Sequence, residues 1–402
     1  MNNRTSLVVF SFIFVAGCAP AGSFQPTPAE SAIINGVASG TDDDAAVAIG
    51  LFSTGGSLMG ACSGVLVAPN LVLTARHCVS RVSEEGIACT ESGESLGGGD
   101  VMTDYLPSQL GILVGAKLGP VNTYGAKIFH TTATNLCNND IAIILLKDAI
   151  TSVTFAKVRL DAPPVVGEKI IAVGWGESNT STDTERRRRA DIPVVAVGPA
   201  AYTSKTLTAL GPNELLIGEG ICSGDSGGPA FDQVTGAVVG LVSRGGNGAM
   251  ADQNNPTVQC TDSPMYTTHN IYTRIDGFKD LILQAFMEAG TDPWLENGPD
   301  PRKAKDGATC VSAVDCRSAL CVNAPDGAIC STACDGPDAA CALDGYSCQL
   351  LDGANVCAPT PPPAPPAGGC SLAVAGPREP SWPLCAALLA IAFALYARRR
   401  AR

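Results

Sequence analysis

Three short segments of this 402-residue chain contain residue types that together support nucleophilic catalysis. In chain order they are LTARHC around His77, NNDIA around Asp140 and GDSGGP around Ser226. A serine hydroxyl is a poor nucleophile at neutral pH and needs a base beside it, and imidazole can be that base because it titrates near neutrality. A carboxylate can hold the ring in one tautomer. Each residue alone is more common in a structural role, so the prediction rests on finding all three.

The three segments, taken in this order, resemble those of the trypsin/chymotrypsin family of serine proteases. The resemblance extends over nearly all of 33–290 and includes further motifs, namely GWG at 174–176, IPVV at 192–195, Ser243 after the strand 238–242, IYTR at 271–274 and a terminal helix. It implies that Ser226 attacks a peptide carbonyl, that His77 takes its proton and that Asp140 orients the ring.

The resemblance also implies supporting roles beside the nucleophile. The backbone N–H groups of Gly224 and Ser226 would form the oxyanion hole, where losing one donor costs roughly 3–4 kcal/mol of transition-state stabilisation. Ser243 would hydrogen-bond the buried aspartate. We therefore expect an active serine endopeptidase. The alternative is a catalytically inactive homologue that acts as a surface binding or adhesion protein, although such homologues typically lose a triad residue or a glycine that this chain keeps.

The sequence IING, which begins at Ile33, resembles the start of the mature enzyme in this family. There, a new α-amino group folds inward and pairs with the aspartate before the nucleophile, which here would join Ile33 to Asp225. Cleavage before Ile33 should then activate a zymogen. Because Ala32 precedes that bond, a trypsin-like activator is not expected. The competing interpretation is that IING is only a first strand and that no cleavage occurs.

The resemblance places a specificity pocket near the nucleophile. Gly220 stands six residues before Ser226, where the trypsin branch has an aspartate, so no carboxylate is available there for Lys or Arg. Ile221 makes the floor apolar, Gly245 leaves one wall open and the amide of Asn270 narrows the slot. Ser243 is assigned to the same pocket. We expect cleavage after small or medium uncharged residues.

Short strands must position these residues. Between Ile33 and Trp294, apolar runs rich in Val and Ile are separated by Gly, Pro, Asn and Asp, as in an all-β barrel or sandwich. Helical spacing appears only near the end, in the apolar stripe of Phe278, Leu281, Ile282, Ala285, Phe286 and Ala289. The resemblance implies a chymotrypsin-like domain over 33–294, with two six-stranded antiparallel β-barrels and a C-terminal helix.

Seventeen cysteines are too many for a typical reducing cytosol and indicate disulfides. The expected pairs in the protease-like segment are Cys62–Cys78, Cys222–Cys260 and, by exclusion, Cys89–Cys137. Eight more cysteines lie within 306–358, a segment too short to bury much core, so we expect a small module held by four disulfides. Its pairing and its job, spacer or binding module, stay open. The module has no histidine and no pair of Cys-x-x-Cys spacings, so we expect no metal or cofactor.

The N-terminus is predicted to be a targeting segment. Residues 1–17 contain Arg4, a short apolar run and small residues before Cys18, which resembles a bacterial lipobox. This predicts a lipid on Cys18 and a lipidated stalk or propeptide over 18–32. The alternative is an ordinary signal peptide with an incidental Cys18. Both interpretations export the protein.

The C-terminus is predicted to direct the chain to the cell surface. Residues 359–369 form a Pro-rich linker, and 370–402 contain a cysteine, a short apolar stretch and a final arginine cluster. The arrangement resembles the myxobacterial MYXO-CTERM sorting tail. The alternative is a plain transmembrane anchor. We expect a membrane-anchored location at the bacterial cell envelope or outer surface, with release by processing as a further step.

Charge excludes one class of partner. The chain carries 26 Lys and Arg against 38 Asp and Glu, a net charge of −12. Nucleic acid is bound by clustered basic residues, so we expect no nucleic-acid partner. We expect protein or peptide substrates, a monomer, and a membrane reached through the N-terminal lipid, the C-terminal tail or both. The basic run Arg186–Arg189 is predicted to be an exposed loop, with a processing site as the alternative.

Overall fold

The structure is a computed structural model that describes residues 33–83, 86–176, 185–201, 209–250, 252 and 257–362. Cys18, the predicted signal and stalk, most of the Pro-rich linker and the predicted sorting tail lie outside these residues. Two compact units, Met1–Thr332 and Ala333–Arg402, make up the chain. Among the described residues, no helix has the length and apolar character needed to span a membrane.

Six antiparallel strands close a first barrel. They are β1 (Ala46–Phe52), β2 (Leu58–Ala68), β3 (Leu71–Thr74), β4 (Leu110–Leu113), β5 (Thr123–His130) and β6 (Ala142–Leu146). They pair in the order β5-β6-β3-β2-β1-β4, and β4 pairs with β5 to close the ring. Because strand side chains alternate between faces, Ala142 and Ile144 join the core of this barrel, whereas Ile143 joins a cluster shared with the second barrel.

A second set of six antiparallel strands closes in the same way. They are β7 (Lys169–Gly174), β8 (Arg187–Val197), β9 (Glu214–Ile217), β10 (Pro229–Asp232), β11 (Ala237–Gly246) and β12 (His269–Arg274). Their order is β8-β7-β10-β11-β12-β9, and β9 pairs with β8. The core of this barrel includes Ile170, Ile192, Leu215, Val239 and Tyr272. The predicted all-β class with two six-stranded barrels is confirmed.

One α-helix, α1 (Lys279–Ala289), follows the second barrel, as the apolar stripe predicts. Its buried residues Ile282, Ala285 and Phe286 join the cluster that lies between the barrels. Gly290 ends the helix with φ +67°, a left-handed conformation that suits glycine. The helix therefore packs against an apolar cluster to which both barrels contribute.

The other elements of the first unit are short. The additional strands are Val37–Ala38, Ser80–Val82, Ala88–Cys89, Ser95–Gly97, Val101–Asp104, Lys157–Val158, Ala200–Ala201 and Ala209–Leu210. The 3-10 turns are Thr41–Asp43, Arg76–Cys78, Pro107–Gln109, Asp276–Phe278 and Ala313–Asp315.

The run Arg186–Arg189 is not the exposed loop that the sequence predicted. It leads into β8, and the Arg186 side chain is fully buried. Its guanidinium donates to Ser39 Oγ at 2.8 Å and to the Ala46 carbonyl at 2.9 Å, and it pairs with Asp44 at 2.7 Å. A buried guanidinium is tolerated only when its donors are paired. Arg186 therefore links the start of β8 to residues near the N-terminus of the domain, and the prediction of an exposed loop was wrong.

Disulfides organise the cysteine-rich segment. In the first unit, Cys310–Cys321 and Cys316–Cys330 staple the hairpin formed by Cys321–Ala324 and Gly327–Cys330. In the second unit, Cys334–Cys348 and Cys341–Cys357 staple the hairpin formed by Tyr346–Leu351 and Ala354–Pro359. Each group of four cysteines is thus connected first to third and second to fourth, a pairing that the sequence left open.

Candidate active site

Strand pairing in the first barrel brings His77 and Asp140 together. Thr74, the last residue of β3, is the register partner of Ala142, the first residue of β6. His77 follows β3 in the turn Arg76–Cys78, and Asp140 stands two residues before β6. Because the strands are antiparallel, the end of one lies beside the start of the other, and the two side chains meet there.

Two contacts join His77 and Asp140, one through the imidazole ring and one through the backbone. Nδ1 of His77 lies 2.9 Å from Oδ2 of Asp140, and the backbone N–H of His77 donates to Oδ1 at 3.1 Å. Burial alone would lower the pKa of His77, but the charge and hydrogen bond of Asp140 outweigh burial and raise this pKa above its ordinary value. Burial would raise the pKa of Asp140, but His77 and the Ser243 hydroxyl hold it below its usual range.

Ser226 belongs to the second barrel and lies three residues before β10. Its carbonyl oxygen accepts the backbone N–H of Ser63, in β2, at 2.8 Å. Sγ of Cys78 lies 3.5 Å from the same oxygen. These contacts place the backbone of Ser226 against Cys78, the residue after His77, at the boundary between the two barrels. Among the described residues, no hydrogen bond joins the Ser226 hydroxyl to His77.

Two glycines next to Ser226 have backbone conformations that other residues rarely adopt. Gly224 has φ +91° and Gly227 has φ +76°. A Cβ at Gly227 would also lie 2.1 Å from Thr74 Oγ1, so the loop can approach β3 only with glycine. The Gly224 carbonyl accepts the Ser63 hydroxyl at 3.1 Å, which fixes the peptide that follows it.

Ser243, near the end of β11, links the second barrel to the acid of the first. Its hydroxyl donates to Oδ2 of Asp140 at 2.6 Å, and the exposed fraction of each residue is at most 5%. Oδ2 therefore accepts from Ser243 on one side and faces the His77 ring on the other. A carboxylate with this many partners is held in one orientation and stays ionised.

Asp225 is fully buried directly before Ser226. The Ile33 nitrogen donates to Oδ2 at 3.2 Å, Cys222 N–H donates to Oδ2 at 2.9 Å, and Gly176 N–H donates to Oδ1 at 2.8 Å. In the intact chain the Ile33 nitrogen is a peptide amide, which brings a donor but no charge. Burial raises the pKa of Asp225 to about 6 despite these hydrogen bonds. Ala32 lies outside the described residues.

A cavity of about 650 Å³ opens beside Ser226. Its lining includes four of the residues that the sequence assigned to the pocket, namely Ile221, Ser243, Gly245 and Asn270. Gly220 is buried next to Ile192, whose Cδ1 would lie 2.9 Å from a Cβ at Gly220, and it is not part of this lining. Ile221 supplies apolar surface here together with other lining residues, among them Ile87, Val242 and Ile271.

Arg244 also lines this cavity, and the sequence reasoning did not single it out. Its guanidinium forms a bidentate pair with buried Glu214, with N–O distances of 2.7 and 3.1 Å. Glu214 also accepts the N–H groups of Asn138 and Gly211 at 3.1 and 2.9 Å. The positive charge of Arg244 opposes the effect of Asp140 on the pKa of His77. The sequence feature that could have indicated Arg244 is its position as the one charged residue in the run GLVSRGG at 240–246.

Three disulfides secure the loops of the site. They are Cys62–Cys78, Cys89–Cys137 and Cys222–Cys260, the same three pairs that the sequence predicts. Nitrogen and sulfur atoms that could ligate a metal cluster at His77 with Cys62 and Cys78, and among cysteines of 310–357. Every cysteine in these clusters is disulfide-bonded, so it offers no thiolate to a metal.

Comparison with known proteins finds sequences similar to this chain. A profile of the family described as Trypsin matches residues 34–268. A trypsin of Phaedon cochleariae is 31% identical over 233 residues, which cover 55% of this chain and 77% of that protein. Phenoloxidase-activating factor 3 of Holotrichia diomphalia is 27% identical over 217 residues, which cover 48% of this chain and 58% of that protein.

A solved structure also aligns with the chain. It is that of neuropsin, a serine protease expressed in the limbic system of mouse brain, with a TM-score of 0.42 and 20% identity over 62% of this chain and 98% of that chain. The argument for the family rests on the sequence profile, which matches more than half of the residues, and on the Phaedon trypsin. The chain therefore belongs to the trypsin family of serine proteases.

Proposed function

We propose that this chain is an exported, surface-anchored serine endopeptidase that uses His77, Asp140 and Ser226 as its catalytic residues. The observation that carries the proposal is a line of contacts across the two barrels. It runs from the Ser243 hydroxyl to Asp140 at 2.6 Å and from Asp140 to His77 at 2.9 Å, and Cys78, the next residue, contacts the Ser226 carbonyl. A base that is oriented in this way is what a serine nucleophile requires.

In the proposed reaction, Nε2 of His77 takes the proton of Ser226 as Oγ attacks the carbonyl carbon of the scissile peptide. Asp140 holds Nδ1 and stabilises the imidazolium that forms. The N–H groups of Gly224 and Ser226 stabilise the oxyanion of the tetrahedral intermediate. The proton then moves from His77 to the leaving amine, and an acyl-enzyme remains. Water, activated by His77, releases the acid and restores Ser226.

We propose that cleavage follows small or medium uncharged residues. Ile221 gives the cavity beside Ser226 an apolar side, and its described lining contains no carboxylate that could pair with a lysine or arginine side chain. Arg244 would repel a lysine or arginine side chain, even though Glu214 partly compensates its charge. Protein or peptide substrates are the partners that this chemistry requires.

We propose that cleavage before Ile33 activates the enzyme. The Ile33 nitrogen already lies 3.2 Å from Oδ2 of Asp225, so a freed α-amino group would need little movement to form an ion pair. The raised pKa of Asp225 supports this step, because the buried carboxylate then lacks a compensating cation until the bond is cut. The new charge would hold Asp225, and with it the Gly224 peptide, in place.

We propose export to the cell surface, with 33–294 as the peptidase and 306–358, whose two hairpins belong to different compact units, as a spacer or binding segment. All 14 cysteines between Cys62 and Cys357 are paired in disulfides, which form in oxidising compartments. The predicted lipid on Cys18 and the predicted tail over 370–402 would provide the anchors. Both lie outside the described residues.

A fluorophosphonate probe tests the catalytic proposal, because it reacts covalently with an activated serine. The chain should be labelled after cleavage before Ile33, and Ser226→Ala should abolish labelling. Ser223→Ala is the matched control, since Ser223 is exposed and lines the same cavity. This control should be labelled like the wild type. Absence of labelling in the cleaved, folded wild type would overturn the proposal and favour a non-catalytic binding protein.

A further inference from the structure

Residues 33–36, the N-terminal turn, have a backbone conformation that needs outside support. Ile33 and Asn35 have φ values of +46° and +56°, and the Gly36 N–H donates to the Ile33 carbonyl at 2.6 Å, which closes the turn. Asparagine tolerates a left-handed conformation, but a β-branched residue rarely adopts it. Such a conformation persists only where the surrounding structure holds it, so contacts outside the turn must stabilise Ile33.

Two side chains of the second barrel hold the N-terminal turn. Nη1 of Arg189, in β8, donates to the Ile34 carbonyl at 2.9 Å. Glu219, two residues after β9, accepts Nδ2 of Asn35 at 2.6 Å through Oε1, and Nη1 of Arg189 lies 3.2 Å from the same oxygen. Neither contact uses the Ile33 nitrogen, so neither requires that the chain be cleaved before Ile33.

The other oxygen of Glu219 reaches residues 257–268, the wall loop, beside the cavity. Oε2 accepts the backbone N–H of Asp262 at 2.7 Å, and Oδ1 of Asp262 accepts the Thr268 N–H at 2.7 Å. Asp262 thereby fixes the end of the wall loop, and His269, the next residue, begins β12 and lines the cavity. Glu219 thus joins the N-terminal turn to one wall of the cavity.

A carboxylate suits this link better than an amide would. Oε1 of Glu219 faces two donors and Oε2 faces a third, so both oxygens must accept. A glutamine offers one oxygen and one NH2 group, and that NH2 group would face a donor on one of the two sides. The Glu219 side chain is 15% exposed, which makes an unpaired donor there costly. Glu219→Gln, which keeps the size of the side chain, should therefore break one side of the link.

We propose that Glu219 is a positioning residue that couples the N-terminal turn to the wall loop, and that this coupling is in place before cleavage at Ile33. Cleavage then adds the positive charge that compensates Asp225, while one wall of the cavity is already set. This inference rests on the proposed peptidase function and divides its activation into two separable parts. Loss of Glu219 or of Asn35 should weaken substrate binding and leave the chemistry at Ser226 largely unchanged.

Steady-state kinetics of the activated enzyme on an uncharged peptide test the positioning role. Glu219→Gln should raise KM by roughly 10-fold and Asn35→Ala by roughly 3-fold, with kcat changed by less than about 2-fold in each. The double variant should raise KM no further than Glu219→Gln alone, because both changes break the same link. Glu288→Gln changes an exposed glutamate that pairs with Lys127 and should leave KM unchanged. Wild-type KM in both single variants, or additive effects in the double variant, would overturn the inference.

Hydrogen exchange of the wall loop tests the coupling directly and covers the case in which Glu219→Gln does not fold. Asn35 is exposed, so Asn35→Ala should fold, yet exchange of the Asp262 N–H should become roughly 10-fold faster. Asn122→Ala, at another exposed asparagine, should leave this exchange unchanged. Equal exchange of the Asp262 N–H in Asn35→Ala and its parent chain would contradict the coupling.

The same exchange measurement shows whether the coupling precedes cleavage. In the Ser226→Ala chain, which cannot digest itself, the Asp262 N–H should exchange at rates within about 3-fold of each other before and after cleavage at Ile33. Exchange that is 10-fold or more faster in the uncleaved chain would show that cleavage sets the wall loop, against the proposal.

Failure of this inference and failure of the peptidase proposal give different results. Wild-type KM and wild-type exchange in the variants, with fluorophosphonate labelling of Ser226, would refute only the role of Glu219. Absence of both hydrolysis and labelling in the activated chain would refute the peptidase function, and with it the effect of Glu219 on substrate binding.

Discussion

The hydroxyl of Ser243, in the second barrel, donates to Oδ2 of Asp140, in the first barrel, at 2.6 Å. The two residues are 103 positions apart, so only the meeting of the barrels can form this bond. Asp140 faces His77 through the same oxygen. The proposed catalytic unit is therefore assembled by the barrel interface, and changes on either side of it should affect catalysis.

Substitution of Asp140 by asparagine should leave the fold intact and reduce kcat by about 10⁴-fold, because the amide favours the wrong tautomer of His77. The measurement is steady-state hydrolysis of an uncharged peptide by the activated enzyme. Asp161→Asn is a suitable control, since Asp161 is exposed and pairs with Lys279 at the surface. Loss of less than 10-fold in Asp140→Asn would contradict the orienting role.

The pH dependence of kcat/KM should have an acid limb above the ordinary histidine value of 6.5. Only neutral His77 can accept the serine proton, and Asp140 raises the pKa of His77, so activity should rise with pH through that raised pKa. Measurement of kcat/KM from pH 5 to 9 gives the midpoint. A midpoint clearly below 6.5 would show that burial and Arg244 dominate over Asp140.

Asp225 should make the uncleaved chain lose stability as pH rises. Its pKa is about 6 when folded against an ordinary 3.8, so the folded state binds more protons between these values. The protonated Asp225 contributes its full stabilisation of the folded state below the unfolded pKa of 3.8, and this stabilisation is lost as pH rises through the folded pKa of about 6. Between pH 4 and 7 the uncleaved Ser226→Ala chain should therefore lose about 2 kcal/mol more of its unfolding free energy than the same chain with Asp225→Asn.

Denaturant unfolding of both uncleaved chains across this range provides the measurement. After cleavage before Ile33, the new ammonium should pair with the carboxylate, and most of the decline should disappear. Parallel stability curves for the uncleaved chain and its Asp225→Asn variant would exclude a raised pKa at Asp225. An unchanged decline after cleavage would exclude the ion pair with Ile33.

Gly174→Ala should disturb the pocket of Asp225. A Cβ at this position would lie 2.2 Å from Oδ1 of Asp225, a contact that forces the buried carboxylate to move. We expect a loss of about 1–3 kcal/mol in stability and a lower melting temperature. Gly60→Ala, in β2, is the control because a Cβ there meets no atom within 4 Å. Equal melting temperatures for the two variants would contradict this packing argument.

The fold and the proposed triad could be predicted because their signals are local. Strand-length apolar runs indicate the barrels, and the segments around His77, Asp140 and Ser226 each combine a reactive residue with its neighbours. The approach of His77 to Asp140 depends on strand register, which the pairing of Thr74 with Ala142 supplies. The terminal helix was equally clear, because its apolar stripe repeats every three or four residues.

Residues whose role depends on distant partners could not be predicted. Arg186 is part of a basic run, which usually indicates a solvated surface, yet residues 140 to 147 positions away satisfy its guanidinium. Arg244 and Glu214 are 30 positions apart and meet only because β11 and β9 both pair with β12. A single sequence does not contain these pairings, and charge alone favours exposure.

Hydrolysis by Ser226 is the central claim, and a comparison of three purified, activated chains tests it most directly. The wild type and Ser108→Ala, a change at an exposed serine outside the cavity, should cleave an uncharged peptide at similar rates. Ser226→Ala should lose roughly 10⁴- to 10⁶-fold in kcat while it remains folded. Wild-type turnover in Ser226→Ala, or no turnover in any chain despite cleavage before Ile33, would contradict the account.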